Sequence, residues 1–355
     1  MSGLLIALTV VLILVVVIQI SRVSEYVAIL RGKEKAQEHT NKLNSKLMLA
    51  FLILGLLGVY LCHEHLKGYL LPKAASIQGE AIDQLIYITL IITAIVFVLT
   101  QALLFVLAYA YRSRPGHKAQ TLPKHSPKND KLEITWTSIT LLVLLVLIVF
   151  GLKEWFKITG PAPDGAMVMD VTGKQFNWMF RYPGKDGELG SKNYQLIDPA
   201  ASNPMGQDWN DAANKDDIVS GEMHLVVNKP VKLVINSQDV IHDVGMPHFR
   251  LKMDAVPGVP TTQWFTPTIT TEEMKKITGD PDFVYELACD QLCGNGHYSM
   301  RAVIVVQTQE EFDAWEASQQ SQYQLAMGEQ APAADSTQQG QMEAAADSTQ
   351  SLARN

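Results

Sequence analysis

The side chains with the most chemistry in them fall within one short stretch, Cys289-Asp-Gln-Leu-Cys293-Gly-Asn-Gly-His297-Tyr-Ser-Met300, with His242 far upstream in DVIHDV. Thiolate, imidazole and thioether form a soft donor set that suits copper and excludes magnesium or calcium as the main occupant. Gly294, Asn295 and Gly296 would break a helix and apolar stretches flank the segment, so it reads as a loop folding its side chains round one point. A mononuclear blue-copper loop uses one Cys, one His and an axial Met, with a second His from an earlier strand. Here a second Cys is added, and two thiolates can bridge two metal ions, leaving one His for each, with Met300 and a loop carbonyl to complete the coordination. Two other chemistries compete. A Cys289–Cys293 disulfide is reasonable in an oxidising compartment, but the His297 and Met300 that follow, and the distant His242, weigh towards copper. A Cys/His nucleophile fits less well, because it leaves Met300 and the second Cys without roles.

The elements around this loop are read from pattern. Met167–Val171, Met223–Val227, Val231–Ile235, Val284–Ala288 and Ala302–Val306 are short, β-branched and spaced by Gly, Pro, Asn and Asp, as in a β-sandwich or Greek-key barrel. The interval 184–222 is polar and Gly/Asp-rich, which predicts a surface insertion, and 310–318 predicts a short closing helix. From about Gln319 the chain is Gln, Ala, Ser and Thr, with AADSTQ at 333–338 and again at 345–350, so 319–355 is expected to be a disordered tail.

Charge and hydropathy divide the chain. Of its 29 Lys and Arg, 14 lie in residues 1–152, against 8 of its 36 Asp and Glu, a net of +6; residues 153–355 carry −13, and the whole −7. The acidic half argues against a nucleic-acid partner. Three cysteines exclude a disulfide-rich scaffold, and no C-x-x-C-H is present for covalent haem. Four runs are apolar enough for lipid, at about 3–20, 47–62, 85–111 and 134–152, the second being short for a span. These make 1–152 a transmembrane region and 153–318 a separate β domain. The connections 21–46 and 112–133 hold six Lys/Arg each, whereas 63–84 holds two. By the positive-inside rule the two basic connections are cytoplasmic and both termini lie outside. The first run is expected to be a retained anchor; a cleaved signal peptide is the alternative, but a basic n-region and a small-residue cleavage site are missing.

From about Asn129 to Trp315, through LEITWT, GKQFNW, SQDVIHDVGMP, KMDAVPG and CDQLCGNGHYSM, the sequence resembles subunit II of the haem–copper cytochrome c oxidases. The resemblance implies N-terminal transmembrane helices followed by an all-β cupredoxin-like Greek-key domain with a dinuclear CuA centre. Cys289 and Cys293 would bridge the coppers, His242 and His297 would each bind one, and Met300 and the carbonyl of Gln291 would be the weak ligands. Such a subunit takes single electrons from cytochrome c and passes them to haem in subunit I, where oxygen reduction is coupled to proton pumping. The implied setting is a bacterial inner membrane, with the copper domain in the periplasm and subunits I and III as partners. A CuA subunit of a nitric oxide reductase and a membrane-anchored copper carrier are the rival readings.

The departures from the family pattern matter as much. Gln291 stands where the family has an acidic residue that helps hold magnesium or manganese beside subunit I, and Gln is a weaker ligand for a hard cation. Phe176 replaces the first of two tryptophans, the family's contact for incoming electrons, while Trp178 is kept and is the next candidate for electron entry; without the resemblance both would read as a packed aromatic strand. Glu133 corresponds to a family carboxylate at the mouth of a proton pathway, though an interfacial Glu is commonly just solvated. Asp239 is implied in docking and Asp254 in interface hydrogen bonding. Cys62, His63 and His65 end the second run and could bind metal, but packing and solvation are the favoured reading. The family core has two spans, so the first two here are additional.

Overall fold

In a computed structural model, residues 2–114, 116 and 127–328 are described; Lys118, Lys124 and the stretch 329–355, including both AADSTQ copies, lie outside the described residues. Contacts divide the chain into two compact units. The first joins Met1–Leu70 to Tyr87–Leu147, and the second joins Leu71–Ile86 to the chain from Ile148 onward.

Helices α1 (Ser2–Arg31), α2 (Lys33–Leu66), α3 (Ile77–Ala110) and α4 (Pro127–Ile158) carry the four apolar runs. Each is long and apolar enough to cross a membrane. Their large apolar side chains, Leu54, Ile95 and Leu142 among them, are exposed in the isolated chain, as lipid-facing helices must be. The connection expected at 21–46 is helix nearly throughout, broken at Gly32, where φ is 83°. Lys, Glu, Ala and Gln dominate 33–38 and propagate a helix well, whereas Gly alone takes the positive φ of the break without strain. The short second run is thus the C-terminal half of a 34-residue helix.

The second unit is a sandwich of ten strands: β1 (Met167–Lys174), β2 (Asn177–Tyr182), β3 (Ile218–Ser220), β4 (Met223–Val226), β5 (Val231–Ser237), β6 (His242–Met246), β7 (Leu251–Ala255), β8 (Thr261–Phe265), β9 (Tyr285–Cys289) and β10 (Arg301–Gln307). They form two five-stranded sheets, ordered β3-β2-β1-β5-β8 and β4-β10-β9-β6-β7. Every strand expected from β-branched pattern is present. In β5 the alternation is direct, with Val231, Leu233 and Ile235 buried and Lys232 and Val234 less so. Between the sheets Phe180, Leu225, Leu233, Val244, Met246, Leu287 and Ile304 are fully buried, each contributing about 1.5–3 kcal/mol relative to exposure. Helix α5 (Thr271–Thr278) opens with a capping box at Thr270 and Glu273, and α6 (Gln309–Ser318) with one at Thr308 and Glu311; such caps are each worth about 1 kcal/mol.

Three features depart from the expectation. The boundary drawn at 152 omits Leu71–Ile86, which docks among the strands: Ala75 N–H donates to the His248 carbonyl at 2.7 Å, Thr268 N–H to the Ala75 carbonyl at 2.9 Å, and Ile77 N–H to the Thr266 carbonyl at 3.1 Å. Ala75 and Ser76 are fully buried there. The interval 184–222 is not merely a surface insertion, because it supplies β3 and buries Gln207, Asn214 and Asp217 around Arg181, whose Nη1 meets Asp217 Oδ2 and Asn214 Oδ1, both at 3.0 Å. Lastly, order continues past Gln319. A further helix, α7 (Gln322–Met327), has a capping box at Ser321, and Gln322 bonds the carbonyls of Asp217 and Ser202. Anchorage on the insertion folds this segment, through these hydrogen bonds and the packing of Tyr323 against Trp209, ring centroids 5.7 Å apart.

Candidate metal centre

Strand register brings the donors together. β6 opens on His242, β9 closes on Cys289, and Val244 is paired with Cys289 across the two strands. The loop after β9 then returns to β10, and Cys289 N–H donates to the Met300 carbonyl at 2.9 Å, which closes it. Inside that closure Cys289 Sγ lies 3.8 Å from His242 Nδ1, 3.7 Å from Cys293 Sγ and 3.2 Å from the carbonyl oxygen of Gln291. Cys293 Sγ lies 3.7 Å from His297 Nδ1 and 3.8 Å from Met300 Sδ. All six expected donors converge.

Both cysteines are free thiols, and sulfurs 3.7 Å apart are far beyond the roughly 2.05 Å of a disulfide. His242, Cys289 and Cys293 are buried, with their ligand atoms within 4.8 Å of one another, and the thiolate, imidazole and thioether chemistry of the set fits copper. Burial, followed by the hydrogen bond with Cys289, pushes the Cys293 thiol up to about 11. A metal must therefore displace its proton.

An outer layer fixes the donors. His242 Nε2 contacts Asp239 Oδ1 at 2.8 Å, which leaves Nδ1 for the site. Asp239 Oδ2 accepts from Gln175 N–H at 2.8 Å, and Gln175 Nε2 donates to the Cys293 carbonyl at 2.6 Å. Burial alone would raise Asp239, but the hydrogen bonds from Gln175, His242 and Val240 hold it below the usual carboxylate range. Phe176 lies directly on the loop. A Cβ at Gly296 would sit 2.5 Å from its ring, and one at Gly294, where φ is 131°, 3.0 Å from it, so the ring can rest there only because these two residues are glycine.

Phe176 is 38% exposed, whereas Trp178 is buried at 3% with its edge towards His242, ring centroids 5.9 Å apart. Trp178 is thus the packed aromatic of β2, and of the pair Phe176 reaches the surface. The side chain of Gln291 is exposed and its carbonyl faces Cys289. Asp254 pairs with Asp243 across β6 and β7, and burial together with their hydrogen bond pushes Asp243 up to about 7. Glu133 lies exposed on α4 in the first unit. Cys62, His63 and His65 are exposed at the end of α2 and join no metal-binding group among the described residues. Sequence reasoning gave Gln175 no role and Asp239 only a docking one. The spacing Asp239-x-x-His242 was the available signal for a carboxylate that orients the ring.

Residues 167–308 match the family described as cytochrome c oxidase subunit II, periplasmic domain, and residues 64–153 its transmembrane domain. An alternative cytochrome c oxidase subunit 2 from Bradyrhizobium diazoefficiens is 37% identical over 237 residues, covering 66% of this chain and 78% of that protein. The cytochrome c oxidase subunit 2 of Thermostichus vulcanus is 26% identical over 328 residues, covering 77% and 85%. Among solved structures, the periplasmic domain of subunit II of cytochrome oxidase from Bradyrhizobium japonicum is 27% identical, with a TM-score of 0.30, over 44% of this chain and 94% of its own. With four apolar helices, a copper-suited β-sandwich and relatives of this identity and coverage, the chain belongs to the cytochrome c oxidase subunit II family.

Proposed function

We propose that this chain is the electron-accepting subunit of a terminal cytochrome c oxidase, taking single electrons from cytochrome c and delivering them to haem in subunit I, where oxygen is reduced and protons are pumped. One observation carries the reading: two thiols 3.7 Å apart, each with its own imidazole, with Met300 Sδ and the Gln291 carbonyl closing the set. Copper bound there as a dinuclear CuA centre supplies one-electron redox chemistry, spread over two ions so that little reorganises at each transfer.

The chain's own residues do the rest. Cys289, Cys293, His242 and His297 would hold the copper, with Met300 and the Gln291 carbonyl as weaker donors, and Asp239 fixes the His242 ring. The buried Trp178, Val244 and Met300 keep water from the inner side. Phe176, exposed against the metal loop, is the contact for incoming electrons, and on that loop Leu292 and Tyr298 are 78% and 89% exposed. The −13 charge of residues 153–355 attracts a basic cytochrome c over a screening length of about 8–10 Å. Glu133 takes up protons on the cytoplasmic side. With Gln291 in place of a carboxylate, the family's magnesium site is weakened in this chain. The setting is a bacterial inner membrane, with the copper domain in the periplasm and subunits I and III as partners.

The test is metal stoichiometry on the purified full chain. Two coppers per chain with intense thiolate charge-transfer absorption, lost in Cys289→Ser, are expected; one copper per chain overturns the dinuclear reading. Reporter fusions after Ser45 should report cytoplasm and those after Ser76 periplasm.

A further inference from the structure

Arg250 occupies a backbone conformation that an arginine rarely takes. Its φ is 54° and its ψ 34°, in the left-handed region where Cβ crowds the carbonyl and Gly, Asn or Asp is the usual occupant. It is also nearly buried, its side chain 7% exposed. Every nitrogen of its guanidinium has a partner. Nε donates to Asp83 Oδ1 at 2.8 Å and Nη2 to Asp83 Oδ2 at 2.9 Å, a two-pronged pair on one carboxylate. Nη2 also donates to the carbonyl of Pro72, and Nη1 to that of Pro247. Asp83 stands in the opening turns of α3 and Pro72 just ahead of them, so one side chain grips both arms of the segment Leu71–Ile86.

The other end of this grip is the copper strand. β6 starts at the ligand His242 and runs to Met246, the turn Pro247–Phe249 follows, and Arg250 comes next. The same turn is held from the segment's side, with Ser76 Oγ donating to the Phe249 carbonyl at 2.8 Å and Ala75 N–H to that of His248 at 2.7 Å. The α3 opening turns and the strand that begins at His242 are thus tied to one turn, Pro247–Arg250.

We propose that Arg250 is a positioning residue: through Asp83 it pins the metal-bearing sandwich to the opening turns of span α3, and so fixes the distance across which electrons leave for the partner subunit's haem. The inference rests on the function proposed above. A distance must be fixed because electron tunnelling falls steeply with it.

Two variants test the pin in the assembled oxidase. Arg250→Gly suits the left-handed backbone and removes the guanidinium without adding strain, and Asp83→Asn leaves the backbone untouched. Both should keep two coppers, the parent absorption and the parent rate of reduction by cytochrome c. Electron transfer from the copper centre to the partner haem, followed after flash reduction, should slow about tenfold or more. Amide exchange at Ile77 and Glu80 should accelerate in the same variants. If electron transfer to haem is unchanged in both variants, the proposal is wrong and the grip merely stabilises the fold; copper lost in both would overturn it as well. A parent complex that cytochrome c cannot reduce refutes the function proposed above, and this inference with it, an outcome distinct from a failure seen only in the variants.

Discussion

His242 presents Nδ1 to Cys289 Sγ at 3.8 Å while its Nε2 is engaged by Asp239 Oδ1 at 2.8 Å. The carboxylate selects which nitrogen is free for metal and stops the ring from turning. Asp239→Ala should therefore lower copper affinity about 10- to 100-fold while leaving the fold intact. Competition against a chelator measures the first and thermal unfolding of the apo chain the second.

Copper uptake should depend on pH with a definite sign. The Cys293 thiol, raised to about 11, is protonated throughout the neutral range, and metal binds only its thiolate. Rising pH removes the competing proton, so apparent affinity should climb about tenfold per pH unit for each proton displaced. An affinity flat between about pH 6 and 8 would mean that the thiol is already ionised.

Phe176 lies on the metal loop at 38% exposure. Phe176→Ala should slow reduction by cytochrome c about tenfold or more, as expected when a docking group is removed from the reacting partners. The copper spectrum should change little, because no ligand is touched. Reduction should also slow steeply with added salt if the acidic domain steers its partner. An unchanged rate in the variant would move the contact to another exposed residue of the loop.

Glu133 carries no structural load on α4, being exposed. Glu133→Ala should slow steady-state oxygen consumption by the complex while copper content and reduction of the centre stay at parent values. Parent turnover would make it a solvated interface carboxylate.

The donor set was legible because ligand chemistry is local: Cys289, Cys293, His297 and Met300 share one loop, and their residue types and spacing leave few other uses. β5 and β10 were legible because alternate apolar residues mark a half-buried strand. β6 was not, since His242, Asp243 and Gly245 give it no apolar period although all five of its residues are buried. Its neighbours across the sheets, not its own sequence, make it a strand. The same holds for Ala75 and Ser76, whose small side chains carry no signal until His248, Phe249 and Thr268 supply the hydrogen-bonding partners. The grip of Arg250 on Asp83 joins residues 167 positions apart and has no local signature at all.

Because Leu71–Ile86 completes a fold whose other parts begin at Ile148, the order of synthesis matters to biogenesis. This segment emerges first and must wait for the turn at His248 and Phe249. At about 5–20 residues per second the delay is on the order of ten to thirty seconds. Throughout that interval Asp83 and the backbone of Ala75 lack the Arg250, His248 and Thr268 partners they have in the fold. Metal loading should accordingly follow full translocation, and a chain halted before β6 would display an unpaired docking segment to the quality-control machinery.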